Sequence, residues 1–161
     1  MMPRENRFVI YADTHFYQHR HIPHLIKLGR TFYVTFCTRN RFTLPPEARD
    51  EVLASCIHDH QSLCWVDCFV VMPDHAHIIV MPYENVTLDR VIGRIKSASS
   101  YRINRLLGRR GTLWQRDSFD HLIRHDESLH EKREYIANNP VRTGLVNDWR
   151  DYKWFWRSCD M

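Results

Sequence analysis

No stretch of this sequence is apolar for long enough to cross a bilayer. The longest apolar run, around 69–72, falls far short of the roughly 20 residues that a spanning helix needs. No C-x-x-C pair occurs either. Five cysteines, an odd number, stand at 37, 56, 64, 68 and 159, with three residues between Cys64 and Cys68. The N-terminus lacks an apolar h-region, so the expectation is a reduced cytosolic chain of buried or idle thiols, not a disulfide framework. Internal repeats and low-complexity stretches are also missing. A structural zinc protein is disfavoured for want of a third and fourth ligand of the right type. Four histidines, His15, His19, His21 and His24, crowd the first 29 residues, but no cysteine joins them and their spacing is irregular.

The chain has 161 residues, 43% hydrophobic, 12% aromatic and 26% charged, which suits one globular domain with a single core. A polar and aromatic lead segment over 1–29 precedes a domain over 30–161. The net charge of +4 is compatible with a polyanionic partner without requiring one. Eleven histidines would add to that positive field wherever they protonate.

The most informative stretch is Met72-Pro73-Asp74-His75-Ala76-His77-Ile78-Ile79-Val80. Its flanks are apolar and it reads as a strand. Strand side chains alternate, so His75 and His77 share one face, where two imidazoles can grip one divalent metal. The pair alone is equally compatible with two polar side chains on a solvated sheet.

A second element lies far along the chain. The segment from Asp126 has acidic residues at its start and no Gly or Pro before Pro140, the profile of a helix of about thirteen residues that stops ahead of that proline. Tyr135 and Asn139 are four apart and fall on one helical face. Read by itself, Tyr135 is as easily a residue that packs the helix onto a sheet. Asn139, with Asn138 beside it, is as easily a helix C-terminal cap.

The remaining elements follow from pattern. Strands are expected over 31–38, 65–72, 75–81 and 113–123, the last carrying Trp114, Phe119 and Leu122. Pro45-Pro46 opens a helix over 47–61 with Val52, Leu53, Cys56 and Ile57 as its apolar stripe. A long basic helix spans 87–107, with Val91, Ile92, Ile95, Ala98 and Leu106 toward the core and Arg90, Arg94, Lys96, Arg102 and Arg105 outward. Its outer face reads either as solvated or as directed toward nucleic acid. The order β, α, β, β, α, β, α predicts an α+β fold: a ferredoxin-like sandwich, an antiparallel sheet of about four strands with helices packed on one face.

His-hydrophobic-His on a strand, followed by a single tyrosine on a later helix, resembles the HUH single-tyrosine transposases, and within them the REP-associated branch. The likeness begins at Arg20-His21-Ile22-Pro23-His24 and continues through Thr31 to Phe36 and Val71 to His77. It then takes in Leu113-Trp114-Gln115-Arg116 with Asp120-His121, and ends in Arg133-Glu134-Tyr135-Ile136, Asn139-Pro140-Val141-Arg142 and Gly144-Leu145-Val146. Ala76 is at the small end of the hydrophobic residues found between the two histidines. The resemblance implies the same fold and a metal-dependent single-stranded DNA endonuclease and strand transferase.

In that reading Tyr135 is the nucleophile, forming a 5′-phosphotyrosine link. His75 and His77 are metal ligands, Asn139 is a third, and the cofactor is Mg²⁺ or Mn²⁺. The partner is single-stranded or hairpin DNA. His21, His24, Arg30, Arg94, Lys96, Arg102, Arg109, Arg110, Arg116 and Arg142 are candidates to hold it, and Trp149, Trp154 and Trp156 are either core or base readers. The branch also implies a bacterial cytosolic, nucleoid-associated protein, a monomer before a swapped dimer. Two other readings stand beside this one: a metal-dependent phosphodiesterase that uses activated water, and a non-catalytic hairpin DNA or RNA binding module. The second lacks RNP-type aromatic positions on its strands.

Overall fold

A computed structural model of the chain describes residues 30–124 and 129–158. In chain order the elements are β1 (Phe32–Cys37), α1 (Pro46–His58), β2 (Cys64–Val71), β3 (His75–Pro82), α2 (Leu88–Leu106), β4 (Phe119–Leu122), α3 (Leu129–Arg142) and β5 (Phe155–Arg157). They build one antiparallel sheet in the order β4-β1-β3-β2-β5, with β3 at its centre. The α+β class and the antiparallel sheet are as expected, with five strands in place of about four.

The helices do not share one face, as the sequence reading had them. Phe32, Val34 and Phe36 of β1 and Ala76, Ile78 and Val80 of β3 form a core with Val52 and Cys56 of α1 and Val91, Ile92, Ile95 and Ile103 of α2. The alternate residues, Tyr33, Ile79 and Met81, pack with Trp65, Cys68, Val70 and Met72 against Leu129 and Ile136 of α3 and against Tyr152. β2 and β3 therefore bury both of their faces, which is why they read as nearly continuous apolar runs. Periodicity shows that a helix has an apolar stripe but not which side of a sheet receives it.

Other boundaries shift for identifiable reasons. The 113–123 strand contracts to Phe119–Leu122, and Trp114 makes only an isolated bridge to Thr38. Between them Lys96 Nζ donates to the carbonyls of Gln115 and Arg116 at 3.0 and 3.2 Å, folding that segment back on α2. Leu106 is exposed, and Ile103, one turn earlier, takes its place in the core. Trp154 and Trp156 pack against the core, and Trp156 stacks on Phe69. Cys56, Cys64 and Cys68 are buried free thiols, and Cys37 is half-buried. No helix among the described residues is long and apolar enough to cross a membrane.

Helix α3 runs through Pro140 to Arg142 instead of stopping before it. Proline's φ is helical; it removes one intrahelical bond and its ring crowds the carbonyl one turn back, which disfavours the helix without forbidding it. The stop comes at Gly144, whose φ of +76° suits glycine. Leu145 N–H returns to the Pro140 carbonyl at 2.8 Å and Gly144 N–H to that of Val141 at 3.0 Å, the paired bonds of a Schellman end.

One buried ion pair ties α3 to the sheet. β2 carries a bulge between Val66 and Cys68, and the extra residue is Asp67. Its carboxylate accepts from Arg133 Nε at 2.8 Å and Nη2 at 2.5 Å, with both residues buried. Removing one partner leaves the other charge buried and alone, which costs about 3–5 kcal/mol. Asp67→Ala and Arg133→Ala should each lower the unfolding free energy by that order in urea titration. The double change Asp67→Leu with Arg133→Met should recover most of it.

Candidate active site

The alternation of β3 turns His75 and His77 toward the layer that holds α3. Their ring centroids are 4.8 Å apart. Register with β1 sets Thr35 opposite His77 and Cys37 opposite His75. From above, α3 presents Tyr135, Asn139 and Arg142, which recur at i, i+4 and i+7 and so form one line along the helix. These residues, with Thr35, Cys37, Arg41 and Thr143, line one cleft of about 400 Å³.

Tyr135 is 41% exposed, and its ring centroid lies 5.8 Å from that of His77. The Arg142 guanidinium sits 4.7 Å over the same ring. Asn139 is 6% exposed and faces the cleft, and among the described residues its carboxamide makes no hydrogen bond. It lies within the helix and not at the cap position after Arg142, and its carboxamide bonds no helix carbonyl, so the C-terminal cap reading does not apply to it. Extension of α3 past Pro140 is also what brings Arg142 into line with the tyrosine.

Both imidazoles are anchored through Nδ1. His75 Nδ1 lies 2.6 Å from Asp74 Oδ1. His77 Nδ1 lies 2.8 Å from Tyr33 Oη and 2.7 Å from Thr35 Oγ1. Burial, with the nearby His75 and Arg142, lowers the His77 pKa to about 3. Its ring is thus neutral across the physiological range, as a ligand must be. Burial works to raise the Asp74 carboxyl, but hydrogen bonds from His75 and Arg41 outweigh it and hold the group below the usual range. Tyr33 is a second phenol nearby. Burial, against a hydrogen bond from Thr35, pushes it up to about 12, so it stays protonated and Tyr135 is the accessible hydroxyl.

Arg41 reaches the cleft from a short 3-10 turn, Arg39–Arg41, in which Asn40 and Arg41 have φ of 55° and 53°. Left-handed geometry costs a non-glycine residue roughly 1–2 kcal/mol. Here it brings the guanidinium 3.2 Å from Asp74 Oδ2. The turn before His75 is pinned as well: Thr38 donates to the Asp74 carbonyl through N–H at 2.9 Å and Oγ1 at 3.0 Å.

Chemically, two imidazoles and a carboxamide suit a borderline to hard divalent cation. Among the described residues no third His, Cys, Asp or Glu joins them. His75, His77 and Asn139 could therefore hold such an ion with oxygens of a substrate or solvent completing it.

The structure thus brings together Tyr135, His75, His77, Asn139 and Arg142. It does not bring Arg94, Lys96 and Arg102 to them, because α2 lies under the opposite face. Arg94 binds Asp59 through Nε and Nη2 at 2.6 and 3.0 Å, and Arg102 approaches Glu51 at 3.9 Å. Arg109 stacks over Phe42 at 4.4 Å, while Arg30, Arg110 and Arg116 are exposed. His21 and His24 lie outside the described residues. Tyr33, Thr35, Asp74 and Arg41 received no role from sequence. The first two become visible only through the β1–β3 register, and Arg41 only through its backbone.

The neutral burial of His77 has a pH signature. Its folded pKa is below the unfolded value of 6.5, so the unfolded chain binds the extra proton and stability falls as pH drops from 6.5 toward 3. His60, also lowered by burial, adds to the same window. Between about pH 6.5 and 5, where ordinary carboxylates remain ionised, the unfolding free energy should decline with acid. His77→Gln should make that decline shallower in urea titrations across the range.

The family model of IS200-like transposases matches residues 30–139. A Haemophilus influenzae protein assigned as a REP-associated tyrosine transposase is 33% identical, over 49% of this chain and 52% of that protein, so the match spans about half of the relative's length. A second Haemophilus influenzae protein is 24% identical over 68% of this chain and 79% of its own. Among solved structures, a REP-associated tyrosine transposase bound to a REP hairpin shares the fold with a TM-score of 0.58 and 21% identity, covering 78% of this chain and 75% of that one. With the family model spanning β1 through Asn139, the chain belongs to the IS200-like transposase family.

Proposed function

We propose that this chain is a metal-dependent single-stranded DNA endonuclease and strand transferase that acts at hairpin-forming repeats. The observation that carries the reading is the shared cleft: one exposed tyrosine beside a histidine pair, with an arginine over its ring. Family membership and the hairpin carried by the structural neighbour support the same substrate class.

Tyr135 is the nucleophile. Its hydroxyl oxygen attacks the scissile phosphorus, the bond to the 3′-oxygen breaks, and the products are a 5′-phosphotyrosine and a free 3′-hydroxyl. The phosphodiester energy is retained in the link, so another 3′-hydroxyl can reverse the step and join strands without a nucleotide cofactor. His75, His77 and Asn139 would hold Mg²⁺ or Mn²⁺, and the ion would supply Lewis-acid stabilisation of the charge that develops on the phosphate oxygens. Arg142 and Arg41 supply fixed positive charge in the same cleft. Arg30, Arg109, Arg110 and Arg116 hold backbone phosphates outside it. Arg94, Lys96 and Arg102 contribute at most long-range field, given their internal partners. The protein works as a monomer in the bacterial cytosol, at the nucleoid where its substrate is.

Tyr135→Phe removes one hydroxyl from a half-exposed ring, so fold and hairpin binding should persist while the denaturation-resistant protein–DNA adduct disappears. Tyr101→Phe, on α2, should leave the adduct intact. His75→Ala and His77→Ala should each reduce cleavage by orders of magnitude. A water-based phosphodiesterase would instead cleave without any adduct, and a binding module would hold the hairpin equally well in chelator and never cleave.

Asn139 is tested by Mn²⁺ titration. Asn139→Ala should weaken binding of the ion, whereas Asn139→Asp, a stronger ligand for a hard cation, should bind it at least as tightly and keep activity. Equal Mn²⁺ affinities for wild type and Asn139→Ala would remove Asn139 from the ligand set.

A further inference from the structure

Both rings line the cleft, each has one nitrogen held by the protein and one with no hydrogen-bond partner among the described residues, and the two are held by different chemistry. Asp74 Oδ1 lies 2.6 Å from His75 Nδ1, and its other oxygen accepts from Arg41 Nη1 at 3.2 Å. An ionised carboxylate only accepts, so the short contact requires the proton to be on Nδ1. In the neutral ring Nε2 is then left bare. His77 Nδ1 instead meets two neutral hydroxyls, Thr35 Oγ1 at 2.7 Å and Tyr33 Oη at 2.8 Å. Either can accept from an Nδ1–H. Their geometry would also allow the reverse, but Arg142, a donor-only cation, shares the cleft that His77 lines. A lone pair turned toward that cation is favoured over an N–H. Among the described residues no hydrogen bond reaches either Nε2.

We propose that Asp74, Thr35 and Tyr33 are positioning residues for the histidine pair: Asp74 holds His75, and the two β1 hydroxyls hold His77, in the tautomer that keeps the proton on Nδ1 and turns the Nε2 lone pair into the cleft. The value of this arrangement to a cation rests on the function proposed above, but the tautomers belong to the chain itself. Anchoring of a ligand histidine through its second nitrogen fixes both its proton and its ring orientation. The asymmetry has a consequence of its own. His75 depends on one charged acceptor, itself braced by the left-handed Arg41. His77 has two interchangeable ones, so loss of either hydroxyl alone is tolerated and loss of both is not.

The test is long-range ¹H–¹⁵N correlation NMR on the ¹⁵N-labelled full chain in chelator at about pH 7.5, above the ordinary histidine pKa. It reads which nitrogen of each neutral ring carries the proton. Wild type should show His75 and His77 both protonated at Nδ1. Asp74→Leu should release His75 toward the Nε2–H form, whereas Asp74→Asn, whose amide oxygen still accepts, should hold it. Tyr33→Phe and Thr35→Val should each leave His77 unchanged, and the double variant should release it. In Mn²⁺ titrations, Asp74→Leu and the double variant should lose on the order of 10- to 100-fold in affinity, and Asp74→Asn less.

Wild-type protein with either ring protonated at Nε2 overturns the proposal without any variant. So do tautomers that ignore Asp74→Leu and the Tyr33→Phe, Thr35→Val pair. The expected tautomers in a wild-type chain that binds no Mn²⁺ would support the positioning shell and overturn the metal-dependent function instead.

Discussion

Everything on the cleft side of the sheet depends on the buried pair between Asp67 and Arg133. A helix laid on a sheet by apolar contacts alone can slide by a turn at little cost, because one aliphatic stripe fits several grooves. A bidentate ion pair cannot slide. Arg133 stands two residues before Tyr135, and Asp67 stands in a bulge of the strand next to β3. The pair therefore sets the distance between a residue on one element and the histidines on another. The desolvation penalty of burying both charges makes it weak as a source of stability, and its contribution is to position.

The positive charge of the chain is divided in a way that composition conceals. The basic face of α2 is largely committed to holding the protein together: Arg94 to Asp59 at the end of α1, and Lys96 to the carbonyls that shape the approach to β4. The cations that converge on the cleft are fewer, Arg41 and Arg142, and each arrives by an irregular feature of the backbone. One rides a left-handed turn, and the other rides a helix that continues through a proline. A count of arginines on a helical wheel does not distinguish these two groups.

What the sequence made legible was local. Two residues of separation on a strand put His75 and His77 on one face, and four on a helix put Tyr135 and Asn139 together; both placements stand in the structure. The class of fold followed from the order of elements, and the family from the ordered motifs. What was not legible was relational. Which layer α3 occupies, that β3 lies between β1 and β2, and that Tyr33 and Thr35 come under His77 all depend on register and on contacts between distant segments. Pro140 misled because proline disfavours a helix interior without forbidding it, and the true stop lay in Gly144. The region 113–123 has strand-like composition, but most of it is held by side chains of α2 in place of a ladder.

The bulge at Asp67 also determines where this protein can change length. Val66 and Cys68 already pair with consecutive residues of β3, Val80 and Ile79, so the ladder on either side of the bulge is in register without the residue between them. β2 thus contains one position of slack, and shortening it there would leave the sheet's two faces as they are while releasing α3 from its anchor. β3 has no such slack. A slip of one residue against β1 would carry both imidazoles into the layer beneath α1 and α2 and present alternate aliphatic side chains to the cleft. Among descendants of this chain that keep the cleft, insertions and deletions should be confined to the loops, with the bulge and the spacing from Asp74 to His77 held fixed.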